Sequence, residues 1–198
     1  MDEIPTESRR RALEAIFGSP LGILAQPIPF RAGGQHLDLA YVRDENRRTI
    51  TVCTHNLTGW ESGQQRGPRG QFELVMVVRD PGPLAPDFKG EGLVAKGWVG
   101  VVLDAMGQHS CNALLQSGEV AGPLNEAFGS LQSLLFWELT SDRRPFEFDG
   151  GSYGLLLCIG ITPEERDWAQ SNGASKLVEL LRTNKTFPLT DPSRDSVV

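Results

Sequence analysis

Three histidines and three cysteines hold most of the chemical potential of this 198-residue sequence. His36 stands two positions from Asp38, His55 two from Cys53, and His109 two from Cys111. On a strand, residues two apart share a face, so Cys53 and His55 are able to point at one ion. A zinc centre needs three or four such ligands converging, at about 2.0 Å for nitrogen and 2.3 Å for sulfur. No C-x-x-C pair repeats, and nothing in the spacing makes the three pairs meet. They read as hairpin and surface residues, and no metal is expected.

A cysteine nucleophile requires an activated thiolate beside a base, with a third group to orient that base. Cys111, following His109 in a polar stretch, is the candidate if the chain is an enzyme. There is no G-x-S-x-G elbow and no phosphate loop. The run Gly63-Gln-Gln-Arg-Gly-Pro-Arg-Gly70 is glycine-rich but lacks the strand–turn–helix frame and the closing Lys-Ser/Thr. Glu164 and Glu165 resemble paired catalytic carboxylates, yet the start of a helix favours acidic residues for electrostatic reasons alone. The chain is therefore read as non-catalytic and without cofactors. The alternative is an enzyme using a Cys/His nucleophile or a His/Cys metal site.

These residues are carried by an ordinary globular composition, 39% hydrophobic and 22% charged. The length suits one substantial core, so a single domain over 1–198 is expected, with 1–15 forming a loosely held N-terminal helix. A net charge of −6 lacks the basic footprint of a nucleic-acid binder. Cys53 and Cys158 lie in apolar, strand-like runs, where a thiol acts as a small buried hydrophobe. Three scattered cysteines make no disulfide framework, which points to a reducing, cytoplasmic setting. Arg9-Arg10-Arg11 precedes an apolar stretch as in a signal peptide, but Asp2, Glu3 and Glu14 and the breaks at Gly18, Pro20 and Gly22 disrupt that pattern. No run approaches the roughly 20 apolar residues that span a bilayer.

The elements follow from periodicity and punctuation. Thr6 to Phe17 has helical spacing and stops at Gly18-Ser19-Pro20. A turn-rich connection is expected up to Pro29. His36 to Val42 and Arg48 to His55 alternate as strands around the short polar link Arg43 to Arg47, which predicts a hairpin. Phe72 to Arg79 is apolar enough for the centre of a sheet. Trp60 to Gly70 reads as a loop, and Pro81 to Pro86 breaks the chain. Glu91 to Met106 is predicted as a helix whose buried stripe is Val94, Trp98, Val101, Val102 and Ala105, with Gly97 and Gly100 allowing close approach to a sheet. Ser117 to Gly122 is a turn region. Ser133 to Leu139 and Tyr153 to Ile161 are strands. Thr162-Pro163-Glu164-Glu165 carries the signs of a capping box, with proline at the first helical position. Asn172-Gly173 ends that helix, Ala174 to Arg182 forms another on Leu177, Leu180 and Leu181, and a short edge strand closes the chain after Pro188. Strands in antiparallel hairpins mixed with helices make this an α+β fold, a single layered domain with a mixed, mostly antiparallel sheet packed with helices.

The stretch Tyr153-Gly-Leu-Leu-Leu-Cys-Ile-Gly-Ile-Thr-Pro-Glu-Glu-Arg-Asp-Trp-Ala-Gln-Ser-Asn-Gly173, followed by Lys176-Leu-Val-Glu-Leu-Leu-Arg182, resembles the suppressor-of-fused family. There an apolar strand runs into a T-x-E-E helix, an Asn/Gly break and a second helix ending in Leu-Leu-Arg. The closing Leu189-Thr-Asp-Pro-Ser-Arg-Asp-Ser-Val-Val198 is similar to the family's aspartate loop, arginine and small strand. Upstream, Gln35 to Tyr41, Ile50 to Thr58 and Phe72-Glu-Leu-Val-Met76 resemble three further family strands. The likeness spans most of residues 16–198 and is loosest from Pro81 to Ser130. His55-Asn56-Leu57 stands where relatives often have Gly-Met-Ser, so a surface role of that loop does not carry over.

The resemblance implies a protein-binding module. In the animal protein a transcription-factor peptide is clamped between this domain and a second one, and this chain ends after the first. It therefore looks like the stand-alone bacterial form, several of which are thought to be immunity proteins that neutralise secreted toxins. An acidic chain suits a basic toxin partner, although the same charge also serves solubility. No nucleic acid or membrane is expected as partner, and the sequence sets no oligomeric state. The candidate surface is the strand ends bearing His36, Asp38 and His55, together with the loop around Trp60 and Arg66. A tryptophan beside an arginine is the usual make-up of an interface anchor. Trp60 packing beneath its own loop is the other reading.

Overall fold

Alternating apolar residues on long strands bury both faces of a sheet only when something covers each face. The computed structural model describes residues 6–18, 22–29, 36–58, 64–65, 70–80, 98–124, 130–139, 146–148 and 151–198. Its elements are α1 (Thr6–Phe17), β1 (Gly22–Pro29), β2 (His36–Asp44), β3 (Thr49–Thr54), β4 (Gln71–Arg79) and α2 (Trp98–Asn112). They continue as β5 (Val120–Ala121), β6 (Ser133–Glu138), β7 (Phe146–Phe148), β8 (Gly151–Ile161), α3 (Pro163–Asn172), α4 (Ala174–Thr183) and β9 (Leu189–Thr190). The strands form one sheet in the order β1-β2-β3-β4-β8-β6-β5, with β7 on β8 and β9 on β4. Only β4 runs parallel to its neighbours β8 and β9; the other pairings are antiparallel. This is the α+β layered fold expected from the sequence.

Period-two alternation divides the core into two. Leu74, Met76, Leu156, Cys158, Leu39 and Val52 face α2, with its Val99, Val102, Leu103 and Met106. Val75, Leu155, Leu157, Ile159, Ala40 and Cys53 face the other way, onto Leu13 of α1, Ala169 of α3 and Leu177, Val178 and Leu181 of α4. The sheet is thus the middle of three layers. Leu177 and Leu181 are buried as expected, with Val178 beside them and Leu180 only partly covered. Cys53 and Cys158 are both buried free thiols.

The C-terminal region follows its local signals closely. The Thr162 hydroxyl accepts from Glu165 N, and the Glu165 carboxylate accepts from Thr162 N at 3.0 Å, with Pro163 opening the helix. Gly173 adopts φ 96°, a conformation costly for other residues, and turns the chain from α3 into α4. At Gly160 the requirement is space. A Cβ there would lie 2.5 Å from Leu131 Cδ1 and 2.6 Å from Thr190 Cγ2.

Four expectations need correction. Gly22–Pro29 is a strand, not a turn-rich link; Pro27 and Pro29 lack the N–H of a ladder residue and are tolerated because β1 is the last strand in the sheet order, with an irregular register between Ala25 and Pro29. The stretch Ser117 to Gly122 contains the two-residue strand β5 as well as a turn. In α2 the buried arc is Val99, Gly100, Val102, Leu103, Met106, Gly107 and Ser110, whereas Val101 is 62% exposed and Ala105 is exposed. This helix is apolar nearly all round at its start, so periodicity does not choose the face; packing against the sheet does. It also runs on to Asn112, and the expected portion from Glu91 to Gly97 lies outside the described residues. Finally, β9 is no edge strand. Val77↔Leu189 and Val78↔Thr190 place it where β4 has parted from β8, and Thr190 Oγ1 accepts from Gly160 N at 3.0 Å. Among the described residues, no helix is long and apolar enough to cross a membrane.

Candidate functional site

A charged residue in the buried part of a largely apolar strand must be compensated locally. Glu73 of β4 is such a residue, with no exposed surface. Its Oε2 accepts from the Thr54 hydroxyl at 2.6 Å and from Leu57 N at 3.1 Å. Its Oε1 accepts from Thr58 N at 3.0 Å and from the Thr58 hydroxyl at 2.6 Å. Thr54 Oγ1 in turn accepts from Leu74 N at 2.8 Å. Glu73 therefore holds, by its donors, the segment that leaves β3.

The carbonyls of the same segment are taken from the other side. Arg9 of α1 is buried and donates from one terminal nitrogen to His55 O and from the other to Thr58 O, both at 2.9 Å. Its Nε lies 4.0 Å from Glu73 Oε1. The result is a loop, residues 55–58, fixed between a carboxylate from the sheet and a guanidinium from the first helix. Sequence reasoning did not find Arg9 or Glu73 as site residues, though a lone glutamate inside Phe72-Glu-Leu-Val-Met76 was a readable signal of a buried polar centre.

The five candidate surface residues divide around this loop. Asp38 of β2 is half-buried and lies against it: Asp38 O accepts from His55 N at 2.8 Å, and Asp38 N donates to Asn56 Oδ1 at 2.9 Å. His55 is placed inside rather than on the surface, 1% exposed. Burial, with the nearby Arg9 and Arg10 cations, lowers its pKa from 6.5 to about 4, so the ring is neutral at pH 7. His55 Nε2 has no hydrogen-bond partner among the described residues. His36 opens β2 two residues before Asp38, opposite Pro29. Trp60 and Arg66 lie outside the described residues. The structure thus joins Asp38 with His55 and adds Asn56 to them.

The nucleophile and metal arrangements do not form among these residues. His109 and Cys111 both belong to α2, where positions two apart point to different sides of the helix. Burial pushes the Cys111 thiol up, partly offset by Ser110, which is the opposite of an activated thiolate. Burial raises Cys53 strongly as well, reinforced by Glu73. Among the described residues no three His, Cys, Asp or Glu side chains are grouped to hold a metal ion.

A second buried ion pair closes the far end of the fold. Arg194 makes a two-pronged contact with Glu165, at 2.5 and 2.6 Å, and also donates to Gly160 O at 3.0 Å. Val197 N donates to Glu165 Oε1 at 3.0 Å. Asp191 bonds Arg79 of β4 and accepts from the Ser193 hydroxyl at 2.6 Å. Burial alone would raise the Asp191 pKa, but Ser193 and Arg79 outweigh it and hold it at about 2. Glu165 is therefore more than a cap: it ties the last residues of the chain to α3.

The sequence profile of the family described as Suppressor of fused protein (SUFU) matches residues 33–195. The chain belongs to the suppressor of fused family. Its fold is similar to a chain of a structure described as the Sufu-Fu complex, with a TM-score of 0.68 and 16% identity over 97% of this chain and 91% of that one. It is similar also to Drosophila Suppressor of Fused, with a TM-score of 0.66 and 14% identity over 94% of this chain. Against the Drosophila structure this chain spans half the length. Comparison with curated protein sequences found no match. Glu73 in its strand, the Thr162–Glu165 box and the Asp191–Arg194 loop lie within the matched residues and are buried polar anchors of the fold.

Proposed function

We propose that this chain is a non-catalytic protein-binding domain spanning residues 1–198, working in the cytoplasm. The observation that carries this reading is the likeness over 97% of the chain to a protein solved as the Sufu-Fu complex, a fold seen there engaged with a partner. The local chemistry supports it. At the β3 end of the sheet, polar groups are committed to holding a loop still, and a preorganised loop binds without the cost of being ordered. In this reading the contact surface is the half-buried Asp38 and Asn56 with His36, backed by the buried His55, and Trp60 and Arg66 are its further candidate residues. Within that class we favour an immunity protein whose partner is a basic toxin, because a net charge of −6 speeds encounter with a cationic surface.

A photo-crosslinking amino acid at position 56 or 60, compared with position 101 on α2, tests the surface in the native host. One protein captured from 56 and 60 but not from 101 supports the reading; capture from 101 alone overturns the placement. A basic toxin encoded beside this gene and neutralised by the purified chain supports the immunity role, and full toxicity in its presence removes that role.

A further inference from the structure

We propose that α1 is a strap on the candidate binding loop: Arg9 holds residues 55–58 in place, and release of α1 loosens them. The use made of that loop rests on the protein-binding reading, whereas the strap itself is a property of the fold. The geometry is specific to the two elements. Both terminal nitrogens of Arg9 are spent on loop carbonyls, at 2.9 Å each, and these carbonyls belong to residues 55 and 58, the two ends of the loop. The loop amides of Leu57 and Thr58 go to Glu73 instead. Donors and acceptors of one short segment are therefore answered by different elements, so removing α1 leaves the carbonyls of His55 and Thr58 without the guanidinium and the Leu57 and Thr58 amides held from the Glu73 side alone, where they open more readily. It also takes the guanidinium away from the buried Glu73 carboxylate.

Among the described side chains of α1, Arg9 and Leu13 are the buried ones, so the helix is suited to act as a separable piece. Leu13 is the fully buried apolar residue of the helix; Ala12 and Phe17 are partly covered, and Arg11, Ala15 and Ile16 face solvent. The described strand pairings leave α1 outside the sheet's backbone ladder. Leu13 and Arg9, four residues apart, lie on one side of the helix, so one apolar anchor and one cationic anchor work together. Elements held by few buried contacts open locally without global unfolding. Because coupling is reciprocal, a partner that needs the loop in its fixed conformation also tightens α1, and one that needs it released loosens α1.

Hydrogen exchange of the full-length protein, followed by mass spectrometry, tests this without any partner. In Arg9→Met, exchange in α1 and in residues 55–58 is expected to speed up about tenfold or more, with β8 unchanged. Leu13→Ala, which undocks the helix while keeping the guanidinium, is expected to do the same to residues 55–58. Acceleration of β8 to the same extent in both variants overturns the proposal, since the helix is then only part of global stability. Fast exchange in α1 with residues 55–58 unchanged overturns it too, because Glu73 alone then holds the loop. A strap confirmed by exchange in a protein whose partner contacts α2 would leave the strap standing and remove the binding-loop reading.

Discussion

Replacing Glu73 with glutamine changes almost nothing in size and removes the centre of the buried cluster. The carboxylate oxygens each accept one backbone amide, Leu57 N on one and Thr58 N on the other, at 3.1 and 3.0 Å. A side-chain amide has a single acceptor oxygen, so in either orientation its NH2 group faces a backbone N–H that cannot turn away. The two threonine hydroxyls can adjust by rotation; the backbone donors cannot. One orphaned buried amide costs about 1–3 kcal/mol. Loss of charge beside the buried Arg9 adds to this, and breaking a buried ion pair from one side costs about 3–5 kcal/mol. These overlap, so we expect Glu73→Gln to lose about 3–5 kcal/mol of stability, on the order of 10 °C in melting temperature. Urea and thermal unfolding followed by circular dichroism measure it, with the exposed Glu179→Gln as control. The double variant Arg9→Met with Glu73→Gln is expected to cost less than the two single changes added together, because the residues share one network. A loss below about 1 kcal/mol for Glu73→Gln, or strict additivity in the double variant, would refute the reasoning.

Three further outcomes follow from the same geometry. The His55 pKa is about 4 in the fold against 6.5 for the free group, so between those values the unfolded chain binds more protons; stability falls as pH drops through that window, by up to about 3 kcal/mol, and unfolding of His55→Gln across pH 4–7 is expected to show a shallower dependence. Gly160→Ala forces a methyl against Leu131 and Thr190 and is expected to cost about 1–3 kcal/mol in a urea titration, with partial recovery when Leu131→Ala makes room. Cys53 and Cys158 are sealed in the core with raised pKa values, so a thiol reagent is expected to titrate at most Cys111 in the native protein and all three cysteines in urea.

Much of this fold is legible in its sequence wherever a local rule fixes the answer. The hairpin of β2 and β3, the apolar β8 and the capping box at Thr162 each follow from alternation or from a short-range hydrogen-bond pattern. Legibility fails where position in the sheet decides. Pro27 and Pro29 look like turn residues until β1 is known to end the sheet order, where a missing N–H is harmless. The placement of β9 depends on β4 and β8 parting company, which no local pattern encodes. In α2, apolar residues on several sides leave the face to be chosen by contact with β4. The candidate site behaves the same way. The strand ends bearing His36, Asp38 and His55 are expected from the sequence to share one surface, but His55 is buried, and its backbone carbonyl is held by Arg9, 46 positions away in the chain. The polar anchors Arg9–Glu73 and Glu165–Arg194 are long-range pairs, and only the glutamates, set in apolar or capping contexts, announce themselves.

The central claim is that this domain binds a protein through the β3 end of its sheet. The most direct measurement is the affinity of the captured partner for Asn56→Ala and Asp38→Ala, with Arg47→Ala at the opposite hairpin end as reference, by calorimetry. The account predicts a loss of about tenfold or more for the first two and little change for the third. Unchanged affinity at Asp38 and Asn56, with loss at Arg47, would contradict it.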